Sequence, residues 1–368
     1  MDAVVCHDFG DARVEDVPRP EPGDGEVLVR VSRVQLSVTE CQIYRGMYES
    51  GYEDVRSRIT DGDGRLFGHE FSGVVTALGS GVDAFEEGDR VYAPGKSPCG
   101  ECVYCRADEE TYCRHPRTVG MHRPGALAEY VAAPAETLCT VPDGVSDAEA
   151  AALQPLAAAL VCVRDAGLDS GDTVGVVGTG VMGYQLGQLA LDHGASRVFA
   201  VDVDPTKVEL AAEQGLVGID AEETDPVERV HRATDGIGVD VAFEAVGGSQ
   251  SHLTTGSGPV TQAFEMVRPG GTFVPVGHFT DEMTIDPAAV RKKYLTWIAP
   301  RDKAGVVSLT PNIDTGAFAT ELVASGRVSI ADYISHELGG LGDFERAVSM
   351  TLDKASAGAL GPPQLVLD

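Results

Sequence analysis

The chain has 368 residues, a length that suits two domains better than one. Hydrophobic residues make up 43% of it, enough to build packed cores, so the composition excludes an intrinsically disordered chain. The formal net charge of −29 excludes nucleic acid and anionic membranes as partners, because such a surface repels both.

Short alternating or β-branched runs, separated by turn residues, fill the chain up to about residue 155. Examples are Glu26–Val31 and Gly73–Leu78, and the turn-rich segment Pro20–Gly25 precedes the first of them. This pattern predicts a mostly β domain over residues 1–155. An alanine- and leucine-rich stretch over about 148–166 then predicts one buried helix that leads out of it.

Four of the eight cysteines are clustered within this β domain, at Cys99, Cys102, Cys105 and Cys113. In a cytosolic chain, clustered cysteines indicate a bound metal rather than disulfides. Four thiolates on one loop complete a tetrahedral shell around Zn²⁺ and leave no open position, so we predict a structural zinc site. Iron–sulfur ligation and four unligated thiols are the alternatives.

From about residue 172 onward, apolar strands alternate with helices. Strands are predicted over 174–177, 197–202, 239–244 and 271–276, and helices from Val181 and from near Pro205. This alternation predicts a parallel, doubly wound sheet. We assign residues 156–294 to this domain. Residues 295–368 fit neither pattern, and we expect the chain to return there to the first domain.

The loop Gly178-Thr179-Gly180-Val181-Met182-Gly183 follows the first of these strands and opens a helix. In that context the spacing predicts a dinucleotide site. Gly178 allows a tight turn, Gly180 lets the pyrophosphate approach the backbone, and Gly183 lets the helix pack closely on the sheet. The free N–H groups at the start of the helix would hold the phosphates. A glycine turn without a ligand is the alternative.

Asp202 ends the second strand, about twenty residues after the glycine loop. A carboxylate there accepts a hydrogen bond from the ribose 2′-hydroxyl and repels a 2′-phosphate, which favours NAD, although molar salt would weaken that repulsion and leave NADP possible. Lys207, one turn further on, could reach the same ribose or be a solvated helix lysine. Val246 and Val276, at the ends of later strands, complete the predicted cofactor-binding residues.

Several motifs follow one another in a specific order. They are Gly68-His69-Glu70-Phe71-Ser72-Gly73, Glu87-Gly88-Asp89-Arg90-Val91, the four-cysteine loop, the glycine loop, Asp240–Gly247 and Arg268–Gly271. With them the chain resembles the zinc-containing medium-chain dehydrogenases/reductases, in particular the sorbitol, threonine and archaeal glucose dehydrogenases. The resemblance covers nearly the whole chain. It implies a GroES-like catalytic domain interrupted by a Rossmann coenzyme domain, an active site in the cleft between them, and a homodimer or homotetramer.

The resemblance also implies a catalytic zinc held by a cysteine, a histidine, and a cysteine or glutamate. His69 and Glu70 match, but Ser37 stands at the cysteine position and Gln154 at the glutamate position. A hydroxyl and an amide are poor zinc ligands, so His69 and Glu70 alone would hold the metal weakly. Cys41, one helical turn after Ser37, could supply the missing thiolate or be a small buried residue.

If zinc is absent, another group must stabilise the developing oxyanion. Thr39, Ser37 and a protonated His69 are the candidate hydrogen-bond donors or general acids. Thr39 matches the family's hydroxyl residue that bonds the substrate alcohol, and Glu70 could hold His69 in orientation. A buried histidine without a catalytic role is the alternative for His69.

The sequence therefore predicts an NAD(P)-dependent oxidoreductase that transfers hydride between nicotinamide and a polyol, a sugar, or a secondary alcohol or ketone. One alternative is a reductase of an activated C=C bond or a carbonyl that lacks catalytic zinc. Another is a dinucleotide-binding protein without catalysis, because fold alone does not fix function.

The surroundings of the protein can also be predicted. The N-terminus has no basic segment followed by an apolar one, and no apolar run approaches the roughly 18 residues that span a bilayer. We therefore predict a soluble, cytoplasmic protein.

The charge balance of the chain indicates the salt concentration in which it works. Acidic residues number 57 against 28 basic ones, of which few are lysines. That balance is typical of salt-loving archaea, and a merely acidic mesophilic protein is the alternative.

Overall fold

The computed structural model describes residues 1–47, 51–248, 257–279, 286–300, 308–310 and 313–367. The chain divides into two units, which we name by their sheets. The β-rich unit comprises Met1–Ala158 and Lys303–Asp368, and the parallel-sheet unit comprises Ala159–Asp302. The second unit is therefore inserted into the first.

The N-terminal part of the β-rich unit contains most of its strands. Its elements are β1 (Asp2–Asp8), β2 (Asp11–Asp16), β3 (Glu26–Gln35), α1 (Val38–Tyr44), α2 (Tyr52–Thr60), β4 (Glu70–Leu78), β5 (Arg90–Tyr92), β6 (Tyr130–Pro134), β7 (Cys139–Thr140) and α3 (Asp147–Ala151). Helix α4 (Gln154–Ala166) begins in this unit, and its residues from Ala159 onward belong to the parallel-sheet unit. The prediction of one helix over 148–166 is wrong, because α3 ends at Ala151 and α4 begins at Gln154. Pro155 explains the break: its ring would clash with the carbonyl of Ala151 in a continuous helix.

The parallel-sheet unit alternates strands and helices. Its elements are β8 (Thr173–Val177), α5 (Val181–Asp192), β9 (Arg197–Asp202), α6 (Pro205–Glu213), β10 (Val217–Asp220), α7 (Pro226–Ala233), β11 (Val239–Glu244), α8 (Pro259–Met266), β12 (Val267–Pro275), α9 (Pro287–Lys293) and β13 (Thr296–Trp297). The described strands form a parallel sheet in the order β10-β9-β8-β11-β12-β13. The predicted doubly wound sheet is confirmed. Its order reverses between β8 and β11, and such sheets bind ligands beyond the carboxyl ends of those two strands.

The C-terminal part of the chain completes the β-rich unit. Its elements are β14 (Ser308–Thr310), β15 (Ile313–Asp314), α10 (Thr315–Ala324), β16 (Glu337–Gly339), α11 (Phe344–Leu352), α12 (Lys354–Ala357) and β17 (Gln364–Val366). Strand β17 pairs antiparallel with β3, in a sheet ordered β16-β17-β3-β4-β5-β7 with β6 also on β3. The register places Gln364 opposite Gln35, and Gln35 opposite Glu70.

Each unit is stabilised by its own buried apolar residues. In the β-rich unit, Val29, Phe71 and Leu365 belong to a core that spans the main sheet and the helices packed on it. In the parallel-sheet unit, Phe199 and Phe273 are buried in a separate core. No helix in the described part of the chain has the length and apolar character needed to cross a membrane.

Aspartate side chains begin many of the helices. In the described residues an aspartate accepts a hydrogen bond from a backbone N–H at the start of α6, α7, α9, α10 and α12; these are Asp204, Asp225, Asp286, Asp314 and Asp353. A carboxylate in this position satisfies an otherwise unpaired donor and complements the positive end of the helix dipole. Part of the acidic excess therefore has a structural role.

Candidate active site

The glycine loop turns from β8 into α5 at the point where the sheet order reverses. Gly178 has φ +90°, and a side chain there would also meet the side chain of Val246 at 2.6 Å. A Cβ on Gly183 would lie 1.7 Å from the carbonyl oxygen of Gly178. Gly180 is the N-cap of α5, and a Cβ there would meet nothing within 4 Å. The loop therefore leaves open space in front of the helix N-terminus, which fits a dinucleotide pyrophosphate.

Asp202 fastens this loop to the end of β9. Its Oδ2 accepts hydrogen bonds from the backbone N of Thr179 at 2.7 Å and from Thr179 Oγ1 at 3.0 Å, and its Oδ1 accepts from the backbone N of Asp204 at 3.0 Å. Lys207 Nζ lies 3.9 Å from Asp204 Oδ2. The predicted ribose carboxylate thus also holds the loop in shape, and Val181 and Met182 follow it in the first turn of α5.

Glu244, at the end of β11, is a residue that the sequence reasoning missed. It is fully buried, and its Oε1 accepts from the backbone N of Val246 at 3.0 Å and of Gly247 at 2.9 Å. The backbone N of Val276 donates to the carbonyl oxygen of Glu244 at 2.8 Å. Both predicted valines therefore lie beside this carboxylate. The available signal was an acid directly after the apolar residues Val241–Phe243.

In the β-rich unit, His69 is held between two buried carboxylates. Its Nδ1 lies 2.7 Å from Glu40 Oε1, an ion-pair contact without the alignment of a good hydrogen bond, and its Nε2 lies 3.8 Å from Glu70 Oε1. Glu40 Oε1 also accepts from the backbone N of His69 at 3.1 Å. The side chains of Glu40 and Glu70 are 2% and 6% exposed, against 15% for His69. The imidazole is thus anchored on its buried side and partly accessible.

The electrostatics of this group suit proton transfer. Burial by itself lowers the pKa of His69, but the Glu40 and Glu70 carboxylates outweigh it, so that the pKa is raised. Burial raises the pKa of Glu70 to about 7, against the opposing effects of His69 and of a hydrogen bond from Gln35. A histidine whose pKa is raised, beside a carboxyl group whose pKa is about 7, is suited to general acid–base chemistry.

The other predicted catalytic residues lie on two helices. Ser37 is the N-cap of α1, where its Oγ accepts from the backbone N of Glu40 at 3.1 Å. Thr39 is half-buried in the first turn of α1, and Gln154 is the first residue of α4. Cys41 lies in the apolar core, where burial raises its pKa. Across the described ranges, no hydrogen bond or ion pair joins His69 to Ser37, Thr39 or Gln154.

The four-cysteine loop brings its sulfurs together. The ligand atoms of Cys99, Cys102, Cys105 and Cys113 all lie within 4.8 Å of one another, with Sγ–Sγ distances of 3.5 Å for Cys102–Cys105 and 3.8 Å for Cys99–Cys105. A tetrahedron of Zn–S bonds of about 2.3 Å has sulfurs about 3.8 Å apart. Burial, followed by the hydrogen bond with the Cys102 sulfur, raises the pKa of Cys105 to about 12, and a bound cation would oppose this by stabilising the thiolate. The loop fits a structural zinc ion.

The residues around His69 do not fit a catalytic zinc. Within the part of the chain that the structure describes, three or more His, Cys, Asp or Glu ligand atoms converge only at the cysteine loop. The Nδ1 of His69 faces Glu40, which leaves Nε2 and Glu70 as the donors on the other side of the ring. Catalytic zinc sites have three protein ligands. The two remaining donors are therefore one ligand short of a catalytic zinc site.

Comparison with known proteins places these sites in a family context. Residues 23–143 match the family model of the alcohol dehydrogenase GroES-like domain, and residues 181–300 match that of the zinc-binding dehydrogenases. The first match contains His69 and the cysteine loop, and the second begins at Val181, the fourth residue of the glycine loop. Together the matches cover most of the chain.

Named relatives and solved structures agree with these matches. The chain is 32% identical to a sorbitol dehydrogenase of Halalkalibacterium halodurans over 74% of this chain and 75% of the relative. It is 29% identical to an L-threonine 3-dehydrogenase of Bacillus velezensis over 95% of both. A zinc-binding dehydrogenase structure from Sinorhizobium meliloti, bound to NADP, superposes with a TM-score of 0.81 at 26% identity, covering 99% of this chain and 98% of that one.

Proposed function

This chain belongs to the family of zinc-binding dehydrogenases with a GroES-like domain, and from that membership we propose how its residues carry out the reaction. The protein is an NAD(P)-dependent oxidoreductase of the alcohol and polyol type. The substrates are polyols, sugars or secondary alcohols and the corresponding ketones. The nicotinamide, when bound, exchanges a hydride with the carbinol carbon.

His69 carries the proton of this reaction. In the oxidation of the alcohol, its Nε2 accepts the hydroxyl proton as the C=O bond forms, and a coenzyme held by the glycine loop would take the hydride. In reduction the protonated His69 returns the proton to the oxygen. The observation that carries this proposal is the Glu40 carboxylate 2.7 Å from Nδ1, because it stabilises the imidazolium and leaves the Nε2 side of the ring for the substrate.

The glycine loop and Asp202 bind the coenzyme. Gly180 leaves room for the pyrophosphate, while Thr179, Val181, Met182 and Gly183 supply the turn and the helix start around it. Val246 lies against Gly178, and Val276 is hydrogen-bonded to Glu244 through its backbone N. Asp202 favours the 2′-hydroxyl of NAD over the 2′-phosphate of NADP. Kinetics with both coenzymes in dilute and molar salt measure this preference. A large preference for NADP at low salt, where the repulsion is strongest, would contradict the role of Asp202.

The His69 role is tested by substitution with a matched control. His69→Gln is expected to lower kcat by about 10²- to 10⁴-fold, as loss of a general acid–base does. His7, whose Nε2 lies 2.6 Å from Glu15 Oε1, is a second histidine–glutamate pair that lies on the β1–β2 ribbon. His7→Gln is expected to leave kcat unchanged. Activity of His69→Gln within a few-fold of wild type would refute the assignment.

Metal analysis tests the absence of a catalytic zinc. Because the cysteine loop is the one place among the described residues that fits a zinc ion, we expect one zinc per chain. Cys102→Ser should then abolish metal binding, whereas His69→Gln and Glu70→Gln should leave the metal content at one. Two zinc ions per chain, with one lost on substitution of His69, would show that the site is a metal centre.

The lack of a fitting catalytic zinc site among the described residues also supports a second candidate function. A site that holds His69 but does not fit a metal suits reduction of a carbonyl or an activated C=C bond, in which a general acid completes the reaction after hydride transfer. A panel of alcohols, ketones and enones separates the two functions. Turnover of enones without turnover of alcohols would favour the reductase, and coenzyme binding without any turnover would leave a binding protein.

The assembly and location of the enzyme are part of the proposal. We expect a homodimer or homotetramer, supported by the half-exposed Trp297 on the edge strand β13 of the described sheet and the exposed Tyr294 before it. Light scattering after size exclusion measures the state directly. The reducing cytoplasm is the expected compartment, because the cysteine loop binds zinc only with its thiols reduced.

A further inference from the structure

Three buried polar residues stand side by side on adjacent strands behind His69. Gln364 on β17 is opposite Gln35 on β3, and Gln35 is opposite Glu70 on β4. All three are at least 95% buried. Buried polar side chains in a sheet are costly unless they are hydrogen-bonded, so such a row requires an explanation.

The hydrogen bonds of the row run in one direction. Gln364 Nε2 donates to the carbonyl oxygen of Ala148 at 2.7 Å and to Gln35 Oε1 at 3.4 Å, and Gln35 Nε2 donates to Glu70 Oε2 at 2.6 Å. A backbone carbonyl can only accept, so Ala148 fixes which end of the Gln364 amide faces it. Gln364 then presents a donor to Gln35, and Gln35 must present its own donor to Glu70.

The carbonyl of Ala148, the acceptor at the Gln364 end of the row, is itself held in place. Ala148 lies in α3, which begins with a capping box between Ser146 and Glu149. The Oγ of Ser72, on β4, donates to the carbonyl oxygen of the preceding residue, Asp147, at 2.8 Å. The helix is thereby tied to the same strand that carries Glu70, so the carbonyl of Ala148 cannot shift independently of the row.

We propose that Gln35 is a positioning residue for the His69–Glu70 pair and that Gln364 sets the direction of the Gln35 amide. The Gln35 amide donates to Glu70 Oε2 and so fixes the orientation of the carboxyl group, which leaves Oε1 as the oxygen that faces the imidazole, 3.8 Å from His69 Nε2. The row thus turns Oε1 of the carboxyl group toward the imidazole and keeps Oε2 bonded to Gln35, away from His69. This inference rests on the proposed proton transfer by His69.

A double-mutant cycle tests the positioning role. Gln35→Met keeps the length of the side chain but removes the donor, and we expect kcat to fall about tenfold while KM changes by less than twofold. In the Glu70→Gln background, which has no carboxyl group for Gln35 to orient, Gln35→Met should change kcat by less than twofold further. Gln364→Met should give a smaller fall that is likewise lost in that background. An equal fall in both backgrounds would overturn the proposal.

A control separates positioning from packing. Thr76, also on β4, donates from Oγ1 to the carbonyl oxygen of Leu28 at 3.2 Å. Thr76→Val removes one hydrogen bond from the same sheet, so it should lower stability without lowering kcat. If Thr76→Val lowers kcat as much as Gln35→Met does, the effect belongs to the sheet as a whole and the proposal fails.

An infrared measurement tests whether Gln35 positions Glu70, even if no substrate is turned over. Difference spectra between wild type and Glu70→Gln isolate the carboxyl bands of Glu70. The same difference taken in the Gln35→Met background should show these bands shifted, because the donor to Oε2 is gone. Unshifted bands would overturn the positioning role. Shifted bands together with an inactive wild type would instead place the failure in the proposed reaction.

Discussion

Substitution of Glu40 tests the centre of the proposed site. Glu40→Gln can keep an acceptor for the backbone N of His69 but removes the charge that lies 2.7 Å from Nδ1. We take the range for charge-assisted contacts, about 1.5–3 kcal/mol, as the scale for this ion pair, and both side chains are largely buried, so solvent screens the pair little. A loss of that size from the transition state lowers kcat by about 10- to 100-fold. Glu15→Gln, in the surface pair with His7, is the matched control.

The pH dependence of Glu40→Gln gives a second readout. Without the Glu40 charge, burial dominates and the pKa of His69 falls, so the rise of kcat/KM with pH in alcohol oxidation should move to lower pH. The raised pKa of His69 also makes the free energy of unfolding depend on pH, in a definite direction. A raised pKa of His69 in the folded state stabilises the protein below the unfolded value of about 6.5, and this contribution is lost as pH rises through the folded value. Glu40→Gln should therefore cost more stability at pH 6 than at pH 9. An unchanged kcat and an unmoved profile would refute the reasoning.

Three further predictions concern the metal, the coenzyme and the salt. Cys113→Ser should lose the single zinc and lower the free energy of unfolding by roughly 3 kcal/mol or more, measured by metal analysis and denaturant unfolding. Gly183→Ala should weaken coenzyme binding by at least about tenfold in calorimetry, because its Cβ would lie 1.7 Å from the carbonyl oxygen of Gly178. In dilute buffer the melting temperature should fall by roughly 10 °C or more relative to molar salt, since the net charge of −29 is then unscreened.

Each of these has a result that contradicts it. Retention of zinc in Cys113→Ser would mean that three thiolates suffice or that the metal lies elsewhere. Wild-type coenzyme affinity in Gly183→Ala would mean that the loop shifts freely. Equal melting temperatures in dilute and molar salt would mean that the acidic surface is no adaptation to salt.

The parts of the fold that the sequence predicted well are those with strong local signals. The strand–glycine loop–helix from Thr173 to Asp192 could be placed almost to the residue, because apolar runs and glycines mark it directly. The cysteine loop could likewise be interpreted from spacing alone. The break between α3 and α4 was missed because alanine-rich composition favours a helix on both sides of Pro155.

The partners in the candidate site could not be predicted from one sequence. Gln35, Glu70 and Gln364 are widely separated along the chain and meet only through the register of β3, β4 and β17. Glu40 is three residues after Ser37, but its contact with His69 depends on how α1 packs on the sheet. Such pairings are set by tertiary structure, which local pattern does not encode. The motif containing His69 and Glu70 was recognisable, whereas the groups that orient them were not.

The helix-starting aspartates limit how this protein could be re-engineered for use in dilute buffer. Neutralising acids is the obvious way to reduce self-repulsion, yet five of them also cap the N-termini of helices: Asp204, Asp225, Asp286, Asp314 and Asp353. Replacing any of these with alanine would remove a cap that contributes about 1 kcal/mol. Asparagine would keep the acceptor and shed the charge. A tolerant variant would therefore carry asparagine at these five positions and lysine or glutamine elsewhere.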